Sequence, residues 1–214
     1  SAEAILDICA AMARRGDVAN HDGNVSMRRP GGRFLCTPTA MRKADVRGVD
    51  LIVIDGSGEV QQGRRRLFSE WQLHRAVYSV RHDVGAVVHA HPHYACALAS
   101  AGVDLEVNFS AEALVSLGPS VPTVPFSAPG DAALTEAVSE AAQRAPGCLL
   151  SRHGLLTWGD DLTMAWARFE LIEHLCAITV KALPLGGVKS LQGDVVAAMV
   201  AKHRRAGLAA PALK

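Results

Sequence analysis

A short apolar segment at residues 86–92, AVVHAHP, constrains the fold more than any other part of the sequence. A brief apolar run that contains two valines and ends at a proline is typical of a buried strand. Because successive side chains on a strand point to opposite faces, His89 and His91 point to the same face. The chain therefore needs a sheet that holds two imidazoles side by side.

Helical and strand patterns alternate over the rest of the chain. Apolar residues at helical spacing predict helices over 3–15, 69–82, 92–101, 131–144 and 161–183. Ser69 is placed to cap the second of these helices. Short β-rich runs predict strands over 24–28, 33–37, 51–55, 59–61 and 85–91, and a strand or hairpin with a glycine at its bend over 148–159. This alternation predicts an α/β fold, and the lack of repeats and long linkers predicts one domain over residues 1–214.

Composition excludes several classes of function. The 22 Lys and Arg residues nearly balance the 21 Asp and Glu residues, so no overall field attracts nucleic acid or an anionic membrane. No apolar run reaches the roughly 18 residues that a membrane-spanning helix needs. The five cysteines never form a CxxC pair, which argues against a disulfide framework and favours a reducing cytoplasm. We expect a small-molecule substrate, with no nucleic acid and no membrane as partner.

The two histidines of the predicted strand could bind one divalent cation through neutral imidazole nitrogens. A third ligand is then required. His93 lies beyond Pro92, where a helix is predicted, so its direction is not tied to the pair. His153 is the better candidate, because it follows an apolar strand and precedes Gly154, which allows close approach. A His-x-His pair alone is as often structural as it is ligating.

Five short motifs occur in a fixed order: GNVS at 23–26, TPTAM at 37–41, FSE at 68–70, VVHAH at 87–91 and RHGL at 152–155. In this order they resemble the class II aldolase/adducin family, most closely its L-fuculose-1-phosphate aldolase type. The resemblance extends from the first predicted helix to residue 180. It implies a three-layer α/β/α fold with a mixed, largely antiparallel central sheet.

The resemblance also implies a metal-dependent lyase. By this resemblance, His89, His91 and His153 hold a catalytic zinc ion. Glu70 is then both the fourth ligand in the resting state and the general base. Mn²⁺, Co²⁺ or Fe²⁺ could replace Zn²⁺ in such a site. The implied reaction is retro-aldol cleavage of a hydroxyketone, such as a sugar phosphate, through a metal-stabilised enediolate. Without the histidines, Glu70 would be an ordinary acidic residue at the start of a helix.

The family motifs further imply that four residues hold the substrate: Asn24, Thr37, Thr39 and Ser69. In related aldolases the matching residues bind the phosphate group of the substrate. Two residues depart from the pattern. Ala40 stands where the family has glycine, and Phe68 replaces a serine, so one hydroxyl donor is lost and apolar bulk is added. The threonines could also serve turn geometry around Pro38 instead of substrate binding. Whether the substrate carries a phosphate stays open.

The position of the family's proton-donating tyrosine holds Ala111 in this sequence. Glu112 follows it and resembles the catalytic glutamate of related dehydratases, so Glu112 is a second candidate catalytic residue. Phe109 could fill the aromatic position instead if a loop differs in length. The alternatives to an aldolase are therefore a metal-dependent decarboxylase of a hydroxylated, possibly aromatic, carboxylic acid, a dehydratase, and a non-enzymatic adducin-like interaction module.

The resemblance implies a homo-oligomer, a tetramer, with the active site near a subunit boundary. The long helix at 161–183 carries apolar residues on several faces, and GLAAPAL at 207–213 is also apolar. Both features favour subunit contacts.

Overall fold

The computed structural model describes residues 1–128 and 131–209. Eight strands form one mixed sheet, in the order β4-β3-β2-β1-β5-β8-β7-β6. The strands are Asn24–Arg29 (β1), Arg33–Cys36 (β2), Ile52–Ile54 (β3), Val60–Gln62 (β4), Ala86–Ala90 (β5), Thr123–Val124 (β6), Gly147–Leu150 (β7) and Gly154–Gly159 (β8). Neighbouring strands are antiparallel except β6 and β7, which are parallel. The predicted mixed, largely antiparallel sheet is confirmed.

Helices cover both faces of this sheet. The α-helices are Ala2–Arg15 (α1), Trp71–Val80 (α2), His93–Ala101 (α3), Ala111–Leu117 (α4), Ala132–Ala142 (α5), Leu162–Ala182 (α6) and Gly193–Arg205 (α7). Three short 3-10 helices span Lys43–Asp45, Gly48–Asp50 and Leu183–Leu185. One core joins the sheet to α1, α3, α4 and α6, and a second core joins it to α2 and α5. The predicted three-layer α/β/α architecture is confirmed.

Strand β5 lies between β1 and β8 and is buried along its whole length. Its side chains alternate between the two cores, as the period of a strand requires. Val88 packs into the core with α1, α3 and α6, whereas Val87 packs into the core with α2 and α5. His89 therefore shares the face of Val87, the face that α2 covers.

Several details differ from the sequence-based expectation. Helix α7 was not predicted, because a polar amphipathic segment gives a weak apolar period. Helix α4 is the short helix that was the alternative to a catalytic role for Glu112. Ser69 does not cap α2, so that prediction is wrong: the N-cap position is Glu70, and no side chain there caps the helix.

Of the apolar segment 207–213, residues 210–213 lie outside the described residues. One domain over residues 1–214 stays a prediction. No helix among the described residues could cross a membrane.

The hairpin between β7 and β8 sets the position of His153. Of the two alternatives predicted over 148–159, a strand or a hairpin, the structure has the hairpin, with Leu150 paired to Gly154. The left-handed residue at its bend is Arg152, with φ of +57°, instead of the expected glycine. Gly154 allows β8 to approach the end of β5 closely. A Cβ added there would lie 2.5 Å from the Ala90 carbonyl oxygen and 2.7 Å from His91 Cδ2. Strand β8 can thus lie against the end of β5 only without a side chain at position 154.

We expect Gly154→Ala to destabilise the protein by about 1–3 kcal/mol, because the added methyl group must displace the backbone of β5. Thermal unfolding measures the effect, because each kcal/mol of lost stability lowers Tm by about 2–4 °C in a chain of this size. Gly56→Ala is the matched control, since a Cβ at Gly56 meets nothing within 4 Å. Equal Tm values for the two variants would contradict the close-approach argument.

Candidate metal centre

Four side chains from three parts of the fold converge at the end of β5. His89 and His91 come from β5 and the residue after it, His153 from the β7–β8 turn, and Glu70 from the residue before α2. One nitrogen or oxygen atom of each residue lies within 4.8 Å of the corresponding atoms of the others. The three imidazole centroids are 4.9–5.0 Å apart. The structure thus brings together the four residues that the sequence singled out as candidate metal ligands.

The distances between the donor atoms of this cluster suit a cation with tetrahedral coordination. His91 Nε2 lies 3.2 Å from His89 Nε2, and Glu70 Oε1 lies 3.4 Å from His89 Nε2 and 2.7 Å from His153 Nε2. Two ligands bound to zinc at ~2.0–2.1 Å in tetrahedral geometry are separated by roughly 3.3 Å. Three imidazoles and one carboxylate are also a donor set that zinc prefers. These residues therefore fit a divalent metal ion.

Hydrogen bonds behind the cluster orient two of the imidazoles. His89 Nδ1 lies 3.0 Å from the Leu155 carbonyl oxygen, and His91 Nδ1 lies 2.9 Å from Asp22 Oδ2. If each Nδ1–H donates to its oxygen, both Nε2 atoms keep a free lone pair for a metal. Asp22 itself is held in place, because its other oxygen accepts the Ala19 N–H at 2.6 Å.

The charges of the cluster favour metal binding. Burial by itself raises the pKa of the Glu70 carboxyl, but the charges and hydrogen bonds of His89 and His153 outweigh burial and lower it well below its usual range. Burial, followed by the charges of His89 and His153, lowers the pKa of His91 to about 4. At neutral pH Glu70 is therefore ionised and His91 is neutral, the forms in which both bind metal. Burial opposes a charge on His89, but the negative charge of Glu70 and its hydrogen bond outweigh burial and raise the pKa of His89.

A buried chain of hydrogen bonds fixes Glu70 from behind. Asn24 Nδ2 donates to Glu70 Oε2 at 2.7 Å, which leaves Asn24 Oδ1 as an acceptor 2.6 Å from His74 Nε2. His74 is neutral, because burial lowers its pKa to about 3. Its Nδ1 then accepts from the Ser26 hydroxyl at 2.7 Å, and Ser26 lies 2.9 Å from the Tyr78 hydroxyl. This chain holds one oxygen of Glu70 while the other faces the histidines.

Two pockets meet at Glu70. The smaller one, of about 420 Å³, contains three of the four predicted substrate residues, Asn24, Thr39 and Ser69. The larger one, of about 590 Å³, has a mainly apolar wall that includes Leu134, Leu150 and Phe126. Ser69 and Glu70 line both pockets. Glu70 therefore borders one recess whose lining residues are mostly polar and another whose wall is mainly apolar.

The residues that depart from the family pattern have clear positions. Ala40 has φ of +55°, so it adopts the left-handed backbone for which glycine is favoured. Phe68 lines the smaller pocket but is 6% exposed, because its ring packs on His74 with the centroids 4.9 Å apart. Phe68 thus belongs mostly to the core and narrows the pocket at its edge.

Three predicted residues are not brought to the cluster within this chain. Thr37 is fully buried, and its hydroxyl accepts a hydrogen bond from the Val25 nitrogen at 3.1 Å, which ties the residue after β2 to β1. Glu112 is exposed in the first turn of α4 and lines neither pocket. Phe109 packs against the core instead of taking an aromatic position at the site.

Asp22 and His74 were not predicted as site residues from the sequence. Asp22 directly precedes the GNVS motif, and a carboxylate beside a glycine turn is a signal that could have been read. His74 follows Glu70 by four residues, which places both on one side of a helix start. Neither could be assigned without the fold, because their partners, His91 and Asn24, come from distant parts of the chain.

The family model described as "Class II Aldolase and Adducin N-terminal domain" matches residues 3–180. An L-fuculose phosphate aldolase of Haemophilus influenzae is 31% identical over 182 residues, which are 85% of this chain and 83% of that protein. A 3-oxo-tetronate 4-phosphate decarboxylase of Cupriavidus necator is 30% identical over 190 residues, 85% of each chain.

Solved structures agree with these matches. YgbL of Klebsiella pneumoniae, a putative aldolase/epimerase/decarboxylase, superposes with a TM-score of 0.84 at 29% identity. The superposition covers 92% of this chain and 96% of that one. The motifs, the fold and the family match agree, and the chain belongs to the class II aldolase and adducin N-terminal domain family.

Proposed function

We propose that this protein is a metal-dependent carbon–carbon lyase that cleaves a hydroxyketone with an anionic end by a retro-aldol reaction. The observation that carries this proposal is the convergence of Glu70 with His89, His91 and His153 between two pockets. An adducin-like interaction module has no chemical need for such a cluster. The aldolase among the relatives supports the same reaction.

Zinc is the metal that we propose for the cluster, with Mn²⁺, Co²⁺ or Fe²⁺ as alternatives. A divalent cation there supplies Lewis acidity, which stabilises the negative oxygen charge of the enediolate left when the carbon–carbon bond breaks. His89, His91 and His153 would be its lasting ligands. Glu70 would be the ligand that gives way, since it is also held by Asn24 and can stay in place when substrate arrives.

Retro-aldol cleavage requires a proton to leave the substrate hydroxyl and a proton to reach the carbon of the enediolate. Glu70 is the carboxylate that borders both pockets, so it is placed to carry a proton at its Oε1. The hydrogen bond from Asn24 keeps Oε2 fixed, and only the oxygen that faces the histidines is free to exchange a proton. We assign Glu70 the role of general base.

The smaller pocket suits the anionic end of the substrate. Asn24, Thr39 and Ser69 line it, and hydroxyl and backbone donors can hold an anion without many cations. Thr37 contributes through the turn instead of by direct contact. The larger pocket, with Leu134, Leu150 and Phe126, would then take the carbon chain that leaves as an aldehyde.

Decarboxylation is the second candidate, and Arg152 favours it. Arg152 is exposed at the larger pocket beside His153, and its guanidinium lies 5.7 Å from the Phe126 ring centre. A guanidinium next to the cluster is suited to hold a carboxylate. A dehydratase has less support, because Glu112 does not reach the cluster within this chain.

We infer a cytoplasmic homotetramer from the family resemblance and from the sequence. The exposed position of Glu112 on α4 leaves it available to a site on a neighbouring copy. Its catalytic role stays a prediction that depends on such an assembly.

Asp22→Asn should weaken metal binding by about 10–100-fold, because a carboxylate that orients a ligating imidazole also raises its basicity. Competition with a chelator of known affinity measures this directly. Asp104→Asn is the matched control, since Asp104 is exposed and makes no ion pair within the described residues. An Asp22→Asn variant with unchanged metal affinity would mean that the Asp22–His91 contact has no role in the site.

Glu70→Gln should lower kcat by ~10²–10⁴-fold, the range for loss of a general acid or base, while the fold is kept. Turnover of metal-loaded protein and its circular dichroism spectrum together measure the effect. Glu106→Gln, a change at an exposed glutamate, should have no effect on either. Near wild-type turnover of Glu70→Gln with full metal occupancy would remove Glu70 from the mechanism and point to Glu112.

Two substrate panels test the reaction itself: ketose 1-phosphates and hydroxylated carboxylic acids, each with metal-loaded protein. We expect a ketose 1-phosphate to release dihydroxyacetone phosphate and an aldehyde. Release of carbon dioxide from a carboxylic acid, abolished by His89→Ala, would replace the aldolase with the decarboxylase. Loss of water without either product would replace it with a dehydratase.

A further inference from the structure

Helix α2 carries two polar side chains, His74 and Tyr78, on the side that faces the sheet. Both are buried, and both lie outside the group of four candidate metal ligands. They are four residues apart, so they are neighbours on one side of the helix. Each contacts a polar side chain of β1: His74 contacts Asn24 and Ser26, and Tyr78 contacts Ser26. Burying polar groups costs stability unless they are hydrogen-bonded, so the direction of each hydrogen bond matters here.

The direction of these hydrogen bonds is set by Glu70. An ionised carboxylate can only accept, so Asn24 must present its amide nitrogen to Glu70 Oε2, at 2.7 Å. The amide oxygen of Asn24 then lies 2.6 Å from His74 Nε2 and requires a donor. His74 therefore carries a proton on Nε2. Because burial lowers the pKa of His74 to about 3, its other nitrogen, Nδ1, carries none and is an acceptor.

The far end of the chain of hydrogen bonds agrees with this direction. The Ser26 hydroxyl lies 2.7 Å from His74 Nδ1 and donates to it. The Tyr78 hydroxyl lies 2.9 Å from Ser26 Oγ and 3.1 Å from the Ser26 carbonyl oxygen, and both of these atoms can accept its proton. Burial raises the pKa of Tyr78, so its hydroxyl keeps that proton. The donors from Ser26 to Asn24 therefore all point toward Glu70.

The orientation of the Asn24 amide decides whether it supports Glu70 or repels it. The nitrogen and oxygen of an amide are nearly equal in size, so packing alone does not choose between them. If the amide were turned by 180°, its oxygen would face Glu70 Oε2, and neither atom could donate. Asn24 is 2% exposed, so water has little access to its side chain. The donor at His74 Nε2 is thus what selects the supporting orientation.

We propose that His74 is a positioning residue for Glu70: its Nε2–H fixes the Asn24 amide in the orientation that holds the carboxylate in place. His74 acts only through Asn24 and touches neither the substrate nor the metal ligands. Ser26, itself held by Tyr78, fixes the proton of His74 on Nε2. This inference rests on the role of general base proposed above for Glu70.

Neutron diffraction from crystals of the perdeuterated, metal-loaded protein tests the proton positions directly. We expect deuterium on His74 Nε2 and none on His74 Nδ1, and an Asn24 N–D bond that points at Glu70 Oε2. Deuterium on His74 Nδ1 alone, or an Asn24 oxygen that faces Glu70, would overturn the proposal. This measurement needs no substrate, so its result is independent of which reaction the protein catalyses.

Kinetics of two substitutions at His74 test the consequence for catalysis. We expect His74→Leu to lower kcat by about 10–100-fold, the range for loss of a residue that orients a metal-site side chain. His74→Gln should recover most of this loss, because its amide N–H can donate to the Asn24 oxygen.

Val77→Ala is the matched control, since Val77 is fully buried on the same helix and its side chain forms no hydrogen bond. It should lower Tm, as a cavity in the core does, and leave kcat unchanged. An unchanged kcat in His74→Leu, or a His74→Gln variant no more active than His74→Leu, would overturn the proposal. If the leucine variant does not fold, the comparison of His74→Gln with Val77→Ala and the neutron result decide.

Discussion

The contact of Glu70 with His89 and His153 links parts of the chain that are far apart in sequence. Glu70 precedes α2, His89 lies on the central strand β5, and His153 lies in the β7–β8 turn. Each must arrive at one point for a metal to bind. The close approach of β8 to β5 at Gly154 and the hydrogen bond from Asn24 to Glu70 are what hold that point in place.

The two sides of the metal-binding cluster differ in their exposure to water. Burial excludes water on the side of β5, where His89 is fully buried and its Nδ1 faces a backbone carbonyl. On the open side, Glu70 borders one recess whose lining residues are mostly polar and one whose wall is mainly apolar. This arrangement supports the proposed substrate, a hydroxyketone with an anionic end and a less polar end. Arg152 is exposed at the larger pocket, and its positive charge supports the alternative of a carboxylate substrate.

The sequence predicted the centre of this arrangement because its signals are local. The alternation of β5 places His89 and His91 on one face, and a glycine beside His153 indicates close approach, so both could be read without a fold. The roles of Asp22 and His74 could not be assigned in this way, because their partners, His91 and Asn24, lie 50 or more residues away in the sequence. The motif around Thr37 predicts substrate contact, and in the structure its hydroxyl accepts a hydrogen bond from the Val25 N–H of β1.

The most direct test of the metal centre is X-ray absorption spectroscopy at the metal edge on protein purified with its own metal. We expect three imidazole nitrogens and one carboxylate oxygen at ~2.0–2.2 Å, as in a tetrahedral zinc site, and the loss of one imidazole in His153→Ala. Cys96, whose Sγ lies 3.3 Å from the His153 carbonyl oxygen, is the nearby sulfur that could take a ligand's place. A sulfur ligand at ~2.3 Å, or an unchanged imidazole count in His153→Ala, would contradict the account.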